Sequence, residues 1–326
     1  MIRWASRPQR PLMAPRSGGP VVAADSILTL DLPNVRLQAL SWGPHDGPLV
    51  ICGHGFPDSA HTWRLLGPRL AAEGWRVVAP FTRGYSPSEI PADAEYGLGA
   101  LMQDVLDIHA ALGGDERSVY IGHDWGALVG NALARSSRSP FARMVTMAVP
   151  PFEVIGSSLA SMGPTGWPGV LGRQLLMSWY TLFHQLPVLP EMLLPWLLRL
   201  YWRRWSPGYD ARADLRYAAE AMLQKGNRRA VIGYYRANIR RALFPSRKYW
   251  RTQRSLLDGA RTPVLYLHGR NDGCMTQRLV DSARPDLPHR SVEIINGGGH
   301  FVHLECPDVV YELVREFLGP PTAKVE

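Results

Sequence analysis

Short apolar runs, each ending near glycine, proline or a polar residue, recur along the chain and alternate with stretches of helical spacing. Residues 49–52, Arg76–Pro80, 118–121 and 142–149 are rich in branched side chains, which is typical of buried strands. Over residues 98–112 the apolar positions instead recur every three or four residues. Strands that alternate with helices predict a mostly parallel twisted sheet flanked by helices, and therefore the α/β fold class.

The pattern also predicts how the chain begins and ends. Residues 27–32 and 35–42 are two apolar runs separated by only two residues, which predicts an antiparallel pair of strands. A helix is predicted over residues 62–72. Two further strands are predicted near the C-terminal end, over residues 263–267 and 292–295.

The sequence Gly122-His123-Asp124-Trp125-Gly126 follows one of these strands and precedes a helical run. A strand, a tight turn and a helix form the context of the G-x-S-x-G nucleophile elbow, here with a carboxylate in the position of the serine. Glycines on both sides suit a sharp turn whose central residue has a strained backbone. Alternatively, Asp124 caps the following helix, because aspartate is a favoured N-cap residue.

Polar residues follow three other predicted strands. His54 and the segment 55–57 come directly after residues 49–52, and Asp272 lies in the loop after the strand of residues 263–267. His300 follows a run of three glycines near the last strand. In an open α/β sheet, groups at the carboxyl ends of the strands meet at the edge where sites form. The order of nucleophile, acid and histidine is that of an α/β-hydrolase.

On these motifs, residues 29–318 resemble the α/β-hydrolase superfamily and, within it, the epoxide hydrolases. The resemblance implies that the strand-free, Trp- and Leu-rich segment 150–257 is a helical cap inserted into the sheet. The hydrolase core then consists of residues 25–149 and 258–326. Residues 1–24 mix arginine, proline, glycine and serine without the apolar stretch of a signal peptide, and they are predicted to be a disordered tail.

An aspartate at the elbow changes the class of substrate. A carboxylate that attacks a saturated carbon forms an ester, which water can cleave, whereas a serine would form a stable ether. We expect His300 to activate the water, with Asp272 fixing its tautomer and stabilising its charge. His303 is the competing base, but the glycine run favours His300. The backbone N–H groups of Phe56 and Trp125 are expected to form the oxyanion hole.

The resemblance to epoxide hydrolases also implies two cap tyrosines that hydrogen-bond the leaving oxygen, since phenols are neutral at pH 7. Tyr180 and Tyr235 lie in surroundings that match those of the family tyrosines. Tyr234 is an alternative to Tyr235, because adjacent helical residues point about 100° apart and only one can face the site. His184 departs from the aromatic residue expected in the family pattern. The predicted substrate contacts are His54, Pro57, Trp125, Trp179 and Tyr234.

The composition indicates a globular protein with one large core, because 46% of its 326 residues are hydrophobic and 20% are charged. Cys52, Cys274 and Cys306 lack the spacing of a disulfide framework or a zinc site, which favours a reducing cytoplasm. We predict neither a metal nor an organic cofactor.

The formal charge of +8 raises the question of what the surface attracts. The arginines are scattered along the chain and no nucleic-acid motif is present, so we predict a solvated surface with a weak attraction for anionic membranes or substrates. Residues 193–205 are apolar, but Pro195 and several arginines make them too short and too charged to span a bilayer. Packing within the cap is favoured for them, while peripheral membrane contact, substrate entry and a homo-oligomer stay open.

These observations predict an epoxide hydrolase that adds water to a small apolar epoxide through an ester on Asp124. A haloalkane dehalogenase is the nearest alternative, because the Trp125 indole offers a halide donor, although Phe56 offers no side-chain hydrogen bond. A low-turnover binding protein on the same fold is the second alternative. The aromatic cap predicts an apolar pocket, without choosing among lipid, terpene and aromatic epoxides.

Overall fold

The computed structural model describes residues 24–321, except 225, 241–245, 260 and 285–286. The predicted disordered tail therefore lies outside the described residues, apart from Ala24. The described strands form one eight-stranded sheet. They are β1 (Ser26–Asp31), β2 (Arg36–Trp42), β3 (Leu49–Gly53), β4 (Arg76–Pro80), β5 (Val119–His123), β6 (Arg143–Met147), β7 (Val264–Gly269) and β8 (Arg290–Ile295).

The sheet has the order β1-β2-β4-β3-β5-β6-β7-β8. The pairs β1–β2 and β2–β4 are antiparallel, as predicted for the opening strands, and all other pairs are parallel. Parallel strands are covered on both faces. In β3, Ile51 packs into one hydrophobic cluster while Val50 and Cys52 pack into a second cluster on the opposite face. The predicted α/β fold class is confirmed.

Helices cover the sheet and fill the segment between β6 and β7. They are α1 (Gly67–Ala72), α2 (Leu98–Ala111), α3 (Trp125–Leu133), α4 (Phe152–Met177), α5 (Trp179–Phe183), α6 (Leu189–Trp205), α7 (Arg212–Met222), α8 (Asn227–Arg240), α9 (Trp250–Arg254), α10 (Val302–Glu305) and α11 (Pro307–Leu318). The helix predicted over residues 62–72 is confirmed only over Gly67–Ala72. A 3₁₀ turn, Ala60–Arg64, precedes α1, because Pro68 is favoured in the first turn of a new helix.

The segment between β6 and β7, which we call the helical insertion, contains α4 to α9 and no strand among its described residues. Its helix α6 contacts the loops at the carboxyl ends of three strands. The indole N–H of Trp202 donates to the Pro57 carbonyl at 2.9 Å. The Trp205 carbonyl accepts hydrogen bonds from the N–H groups of Gly273 and His300, at 3.1 and 3.0 Å. One helix end therefore fixes three loops of the candidate site.

Within the described part of the chain, we find no helix with both the length and the apolar character needed to cross a membrane.

Candidate active site

Asp124 lies at the turn between β5 and α3, with φ 50° and ψ −112°. A positive φ is strained for a residue with a side chain, and such strain is typical of functional positions. The turn also presses against β3, because a Cβ atom on Gly126 would lie 2.1 Å from the Gly53 carbonyl oxygen. The Asp124 side chain makes no capping hydrogen bond to α3. The geometry is therefore that of an elbow, and the helix-cap alternative is excluded.

Backbone amides surround the Asp124 carboxylate, which is only 6% exposed. The Phe56 N–H donates to Asp124 Oδ1 at 2.8 Å. A Cβ atom on Gly55 would lie 2.4 Å from the same oxygen and 2.7 Å from the Trp125 nitrogen. Glycine at position 55 therefore leaves room for the carboxylate beside the two amides that the sequence predicts as the oxyanion hole.

His300 lies between two carboxylates. Its Nε2 is 3.6 Å from Asp124 Oδ2, and its Nδ1 is 3.0 Å from Asp272 Oδ2. The other Asp272 oxygen accepts the backbone N–H groups of Cys274 and Met275, at 2.6 and 2.9 Å. Because a carboxylate only accepts, Asp272 fixes a proton on Nδ1 and directs Nε2 toward Asp124.

The charges of His300, Asp124 and Asp272 stabilise one another. Burial disfavours an imidazolium, but the Asp272 and Asp124 carboxylates outweigh it and raise the pKa of His300 to about 10. Burial likewise disfavours the carboxylates, yet the charge of His300, with its hydrogen bond to Asp272, holds the pKa values of Asp124 and Asp272 below their usual range. The two carboxylates therefore favour the imidazolium form of His300 in the resting site.

Tyr180 on α5 and Tyr235 on α8 meet above the elbow, with ring centroids 5.7 Å apart and nearly perpendicular planes. The Tyr235 ring also lies 5.2 Å from the rings of both Phe56 and Trp125. The Tyr180 hydroxyl is 3.2 Å from the Cys274 sulfur. Burial raises the pKa values of both phenols well above their usual range, with the Asp124 charge adding to it. Both hydroxyls are therefore neutral and able to donate a hydrogen bond.

The neighbouring Tyr234 points elsewhere. Its hydroxyl donates to the Arg83 carbonyl at 2.7 Å, and its ring packs against Tyr85 and Tyr96. This hydrogen bond favours Tyr235 over Tyr234 as the proton donor, while contact of Tyr234 with the substrate stays a prediction. Its ring edge still reaches the Trp125 ring, at 5.9 Å between centroids.

His54 also differs from its predicted role as a substrate contact. Its Nε2 accepts the Thr82 N–H at 3.1 Å, so its Nδ1 carries the proton and donates to the Gly55 carbonyl at 2.9 Å. With both nitrogens bonded and the ring buried, His54 holds the loop that carries Phe56. Burial accordingly lowers the pKa of His54 to about 4.

The other predicted contacts lie around this loop and the insertion. The Phe56–Pro57 peptide bond is cis. Trp179 lines a groove of about 350 Å³ together with Trp205 and Gly273, beside the Asp272 loop. His184 takes the place of the expected aromatic residue, with its ring centroid 4.6 Å from that of Tyr235.

Three residues that support His300 have no predicted role in the sequence analysis: His123, Trp205 and Cys274. The His123 Nε2–H donates to the His300 carbonyl at 2.9 Å, and the Trp205 ring packs 5.0 Å from the imidazole. Cys274 connects Asp272 to Tyr180. His123 lies inside the elbow motif, so its proximity to the site was predictable from the sequence. Trp205 and Cys274 carry no local signal, because their roles depend on how the insertion packs on the sheet.

Among the described residues, two buried groups bring possible metal ligands within 4.8 Å of one another. In one, Asp272 and His300 already bind each other. The other consists of Asp58, His123 and His303, where burial raises the pKa of Asp58 to about 7. The His303 Nε2 is 2.6 Å from the Thr62 hydroxyl, so His303 is not the competing base. The absence of a cofactor stays a prediction.

The model of a family described by the alpha/beta hydrolase fold matches residues 48–307. The chain belongs to the α/β-hydrolase family. The site just described therefore lies where this family of hydrolases carries its catalytic residues, at the carboxyl ends of the parallel strands.

Individual relatives agree. The α/β-hydrolase superfamily protein YfhM of Bacillus subtilis is 26% identical over 87% of this chain and 94% of its own length. Epoxide hydrolase A of Mycobacterium tuberculosis is 28% identical over 89% of this chain and 96% of its own. The crystal structure of epoxide hydrolase A from Mycobacterium thermoresistibile superposes with a TM-score of 0.68 at 25% identity, covering 92% and 99% of the two chains. The predicted resemblance to epoxide hydrolases is confirmed.

The charge balance of the site predicts a titration. The substitution Asp124→Asn replaces one of the two carboxylates that favour the imidazolium with a neutral amide. We therefore expect the pKa of His300 to fall by about 1 to 3. NMR detection of the imidazole nitrogens across the titration measures this fall. An unchanged pKa would show that Asp124 does not interact with His300 in solution.

Proposed function

We propose that this hydrolase converts an apolar epoxide and water to a vicinal diol through an ester on Asp124. The observation that supports this most strongly is the pair of neutral, buried phenols of Tyr180 and Tyr235 beside an aspartate elbow. Opening an epoxide creates an alkoxide, which needs a proton donor at that place. The epoxide hydrolases among the relatives add support, and they are similar to this chain over most of its length.

The first step follows from the environment of each Asp124 oxygen. Oδ1 is held by the Phe56 N–H, so we assign the attack on the epoxide carbon to Oδ2. The new bond joins Oδ2 to carbon while the carbon–oxygen bond of the ring breaks. The released oxygen takes a proton from Tyr180 or Tyr235. The products are a hydroxyalkyl ester and a tyrosinate, which is reprotonated before the next turnover.

The second step requires His300 to change its charge. Ester formation removes the negative charge of Asp124, one of the two carboxylates that raise the pKa of His300. The pKa then falls, and the imidazolium gives its proton to the tyrosinate, which leaves a neutral imidazole able to accept a proton from water. The resulting hydroxide attacks the Asp124 carbonyl carbon, and the Phe56 and Trp125 amides stabilise the oxyanion on Oδ1. As this intermediate collapses, His300 gives the proton to the leaving oxygen, which releases the diol. His300 then takes the remaining proton from the Asp124 carboxyl, which restores the imidazolium and the carboxylate.

We further propose that the helical insertion acts as a cap domain. It supplies both tyrosines, and its α6 binds the loops that carry Pro57, Gly273 and His300. A cap in this position excludes bulk water from the ester until hydrolysis. A cytoplasmic location and a homo-oligomer stay predictions.

A haloalkane dehalogenase is the second candidate. The Trp125 indole N–H is buried and makes no hydrogen bond to a described residue, so it is available to a halide. A halide leaves as a stable anion and needs no proton, however, and Phe56 adds no second side-chain donor. The phenol pair therefore favours oxygen as the leaving atom.

The proposed function predicts diol formation from a panel of alkyl, fatty and aryl epoxides. We expect Asp124→Asn to abolish turnover, because its neutral amide is a poor nucleophile. Chromatography of the diols, with halide release from matched bromoalkanes measured in parallel, separates the two candidates. Halide release without any diol would select the dehalogenase, and no product from either class would favour a binding protein.

The two adjacent tyrosines provide a matched pair of variants. Tyr235→Phe removes a donor to the alkoxide, so we expect the rate of ester formation to fall by about 10²-fold or more. Tyr234→Phe removes only the hydrogen bond to the Arg83 carbonyl and should leave this rate little changed. Stopped-flow single-turnover kinetics on one epoxide measure both. Equal effects of the two substitutions would contradict the assignment.

A further inference from the structure

Exposed apolar side chains concentrate in the N-terminal part of the helical insertion. Of the 17 strongly exposed large apolar residues in the described chain, 11 lie between residues 152 and 196. Exposed apolar residues are normal when scattered, whereas a concentration of them marks an interaction site. Six of these 11 residues are at least 60% exposed, and we call them the apolar face: Leu175, Leu176, Leu182, Val188, Met192 and Trp196.

The apolar face continues into a cationic border. On α6, Met192, Trp196, Arg199 and Arg203 are spaced by three or four residues, so they follow one outward side of the helix. Arg199, Arg203 and their neighbour Arg204 are exposed, and none of them forms an ion pair with a described residue. An apolar stripe bordered by free cations is typical of a helix that lies in the interface of a membrane.

The charge of the chain is divided in the same way. Residues 152–257 contain 16 Lys and Arg against five Asp and Glu, a formal charge of +11, so the remainder carries −3. The basic residues occur along the whole chain, with 20 of the 36 outside this segment, and the imbalance arises mainly because only five of the 28 acidic residues lie within it. Such a division orients the molecule with its insertion toward a negative surface.

From these observations we propose that the apolar face docks on an anionic lipid bilayer, with its leucines and Trp196 in the acyl boundary and the arginines among the headgroups. A second copy of the chain is the other simple occupant. It would place one +11 segment against another, which like-charge repulsion opposes. Charge complementarity therefore selects the bilayer.

Docking in this orientation would bring the lipid next to a groove that leads toward the site. Arg173, Leu176 and Arg204 line the groove of about 350 Å³ that also contains Trp179 and Trp205. Trp205 packs on the imidazole of His300. An apolar substrate dissolved in the bilayer would reach the groove without crossing water. The docking proposal itself does not rest on epoxide chemistry, because it concerns only the surface.

The test is co-sedimentation of the full chain with vesicles of phosphatidylcholine alone and of an equimolar mixture with phosphatidylglycerol. We expect binding to the mixed vesicles, weaker binding to the neutral ones, and loss of the difference at high salt. Joint Met192→Ser and Trp196→Ser substitution should weaken binding by about tenfold or more. The matched control is Trp250→Ser on α9, which is 43% exposed and outside the apolar face.

The arginines are tested in the same way. Arg203→Gln with Arg204→Gln should weaken binding to mixed vesicles by about 25-fold, from about fivefold for each cation lost. Arg251→Gln with Arg254→Gln on α9 should change it little. All the replaced side chains are at the surface, so folding should persist, which circular dichroism verifies.

Three results would overturn the proposal. They are binding without preference for anionic lipid, equal effects of the α6 and α9 variants, and a monomer–dimer equilibrium that Trp196→Ser abolishes in a protein that does not bind vesicles. The last result, measured by analytical ultracentrifugation, would assign the apolar face to a second copy.

Discussion

The close contact between Gly126 and β3 determines where the nucleophile lies. With no side chain at this position, α3 begins directly against the Gly53 carbonyl, and the chain must turn sharply at Asp124 to enter it. The strained backbone of Asp124 is the cost of that turn, and the surrounding sheet and helix maintain it. A larger residue at position 126 would move the helix, the carboxylate and the amide of Trp125 together.

Once the carboxylate is fixed, the rest of the site is organised around its charge. His300 completes a buried chain of alternating charge with Asp272, and neither carboxylate would stay ionised so readily without it. The end of α6 then holds the loops around this chain through the Trp202 indole and the Trp205 carbonyl. Chemistry on Asp124 consequently alters the charge of His300, which links the two proposed steps without any movement of the fold.

Much of this arrangement was predictable because it depends on local patterns. The strands were identified from apolar runs, and the loops of Asp124, Asp272 and His300 from their positions after those strands. The roles of buried side chains were harder to predict from the sequence. His54 was expected to bind substrate, yet its two nitrogens hold its own loop, because Thr82 from the adjoining strand end supplies the donor. The contacts of Trp205 depend on the insertion folding back over the sheet, and no local spacing reports such packing. The charge division can be counted from the predicted bounds of the insertion, whereas the exposure of Met192 and Trp196 depends on how α6 packs.

The central claim is that Asp124 forms a covalent ester that water cleaves at its carbonyl. A single turnover in ¹⁸O-labelled water, with enzyme in excess of an epoxide substrate, tests it directly by mass spectrometry of the Asp124 peptide. The proposed mechanism predicts one ¹⁸O atom in the Asp124 carboxylate and unlabelled oxygen in the diol. Label in the diol with none in Asp124 would contradict it, because water would then have attacked the epoxide itself.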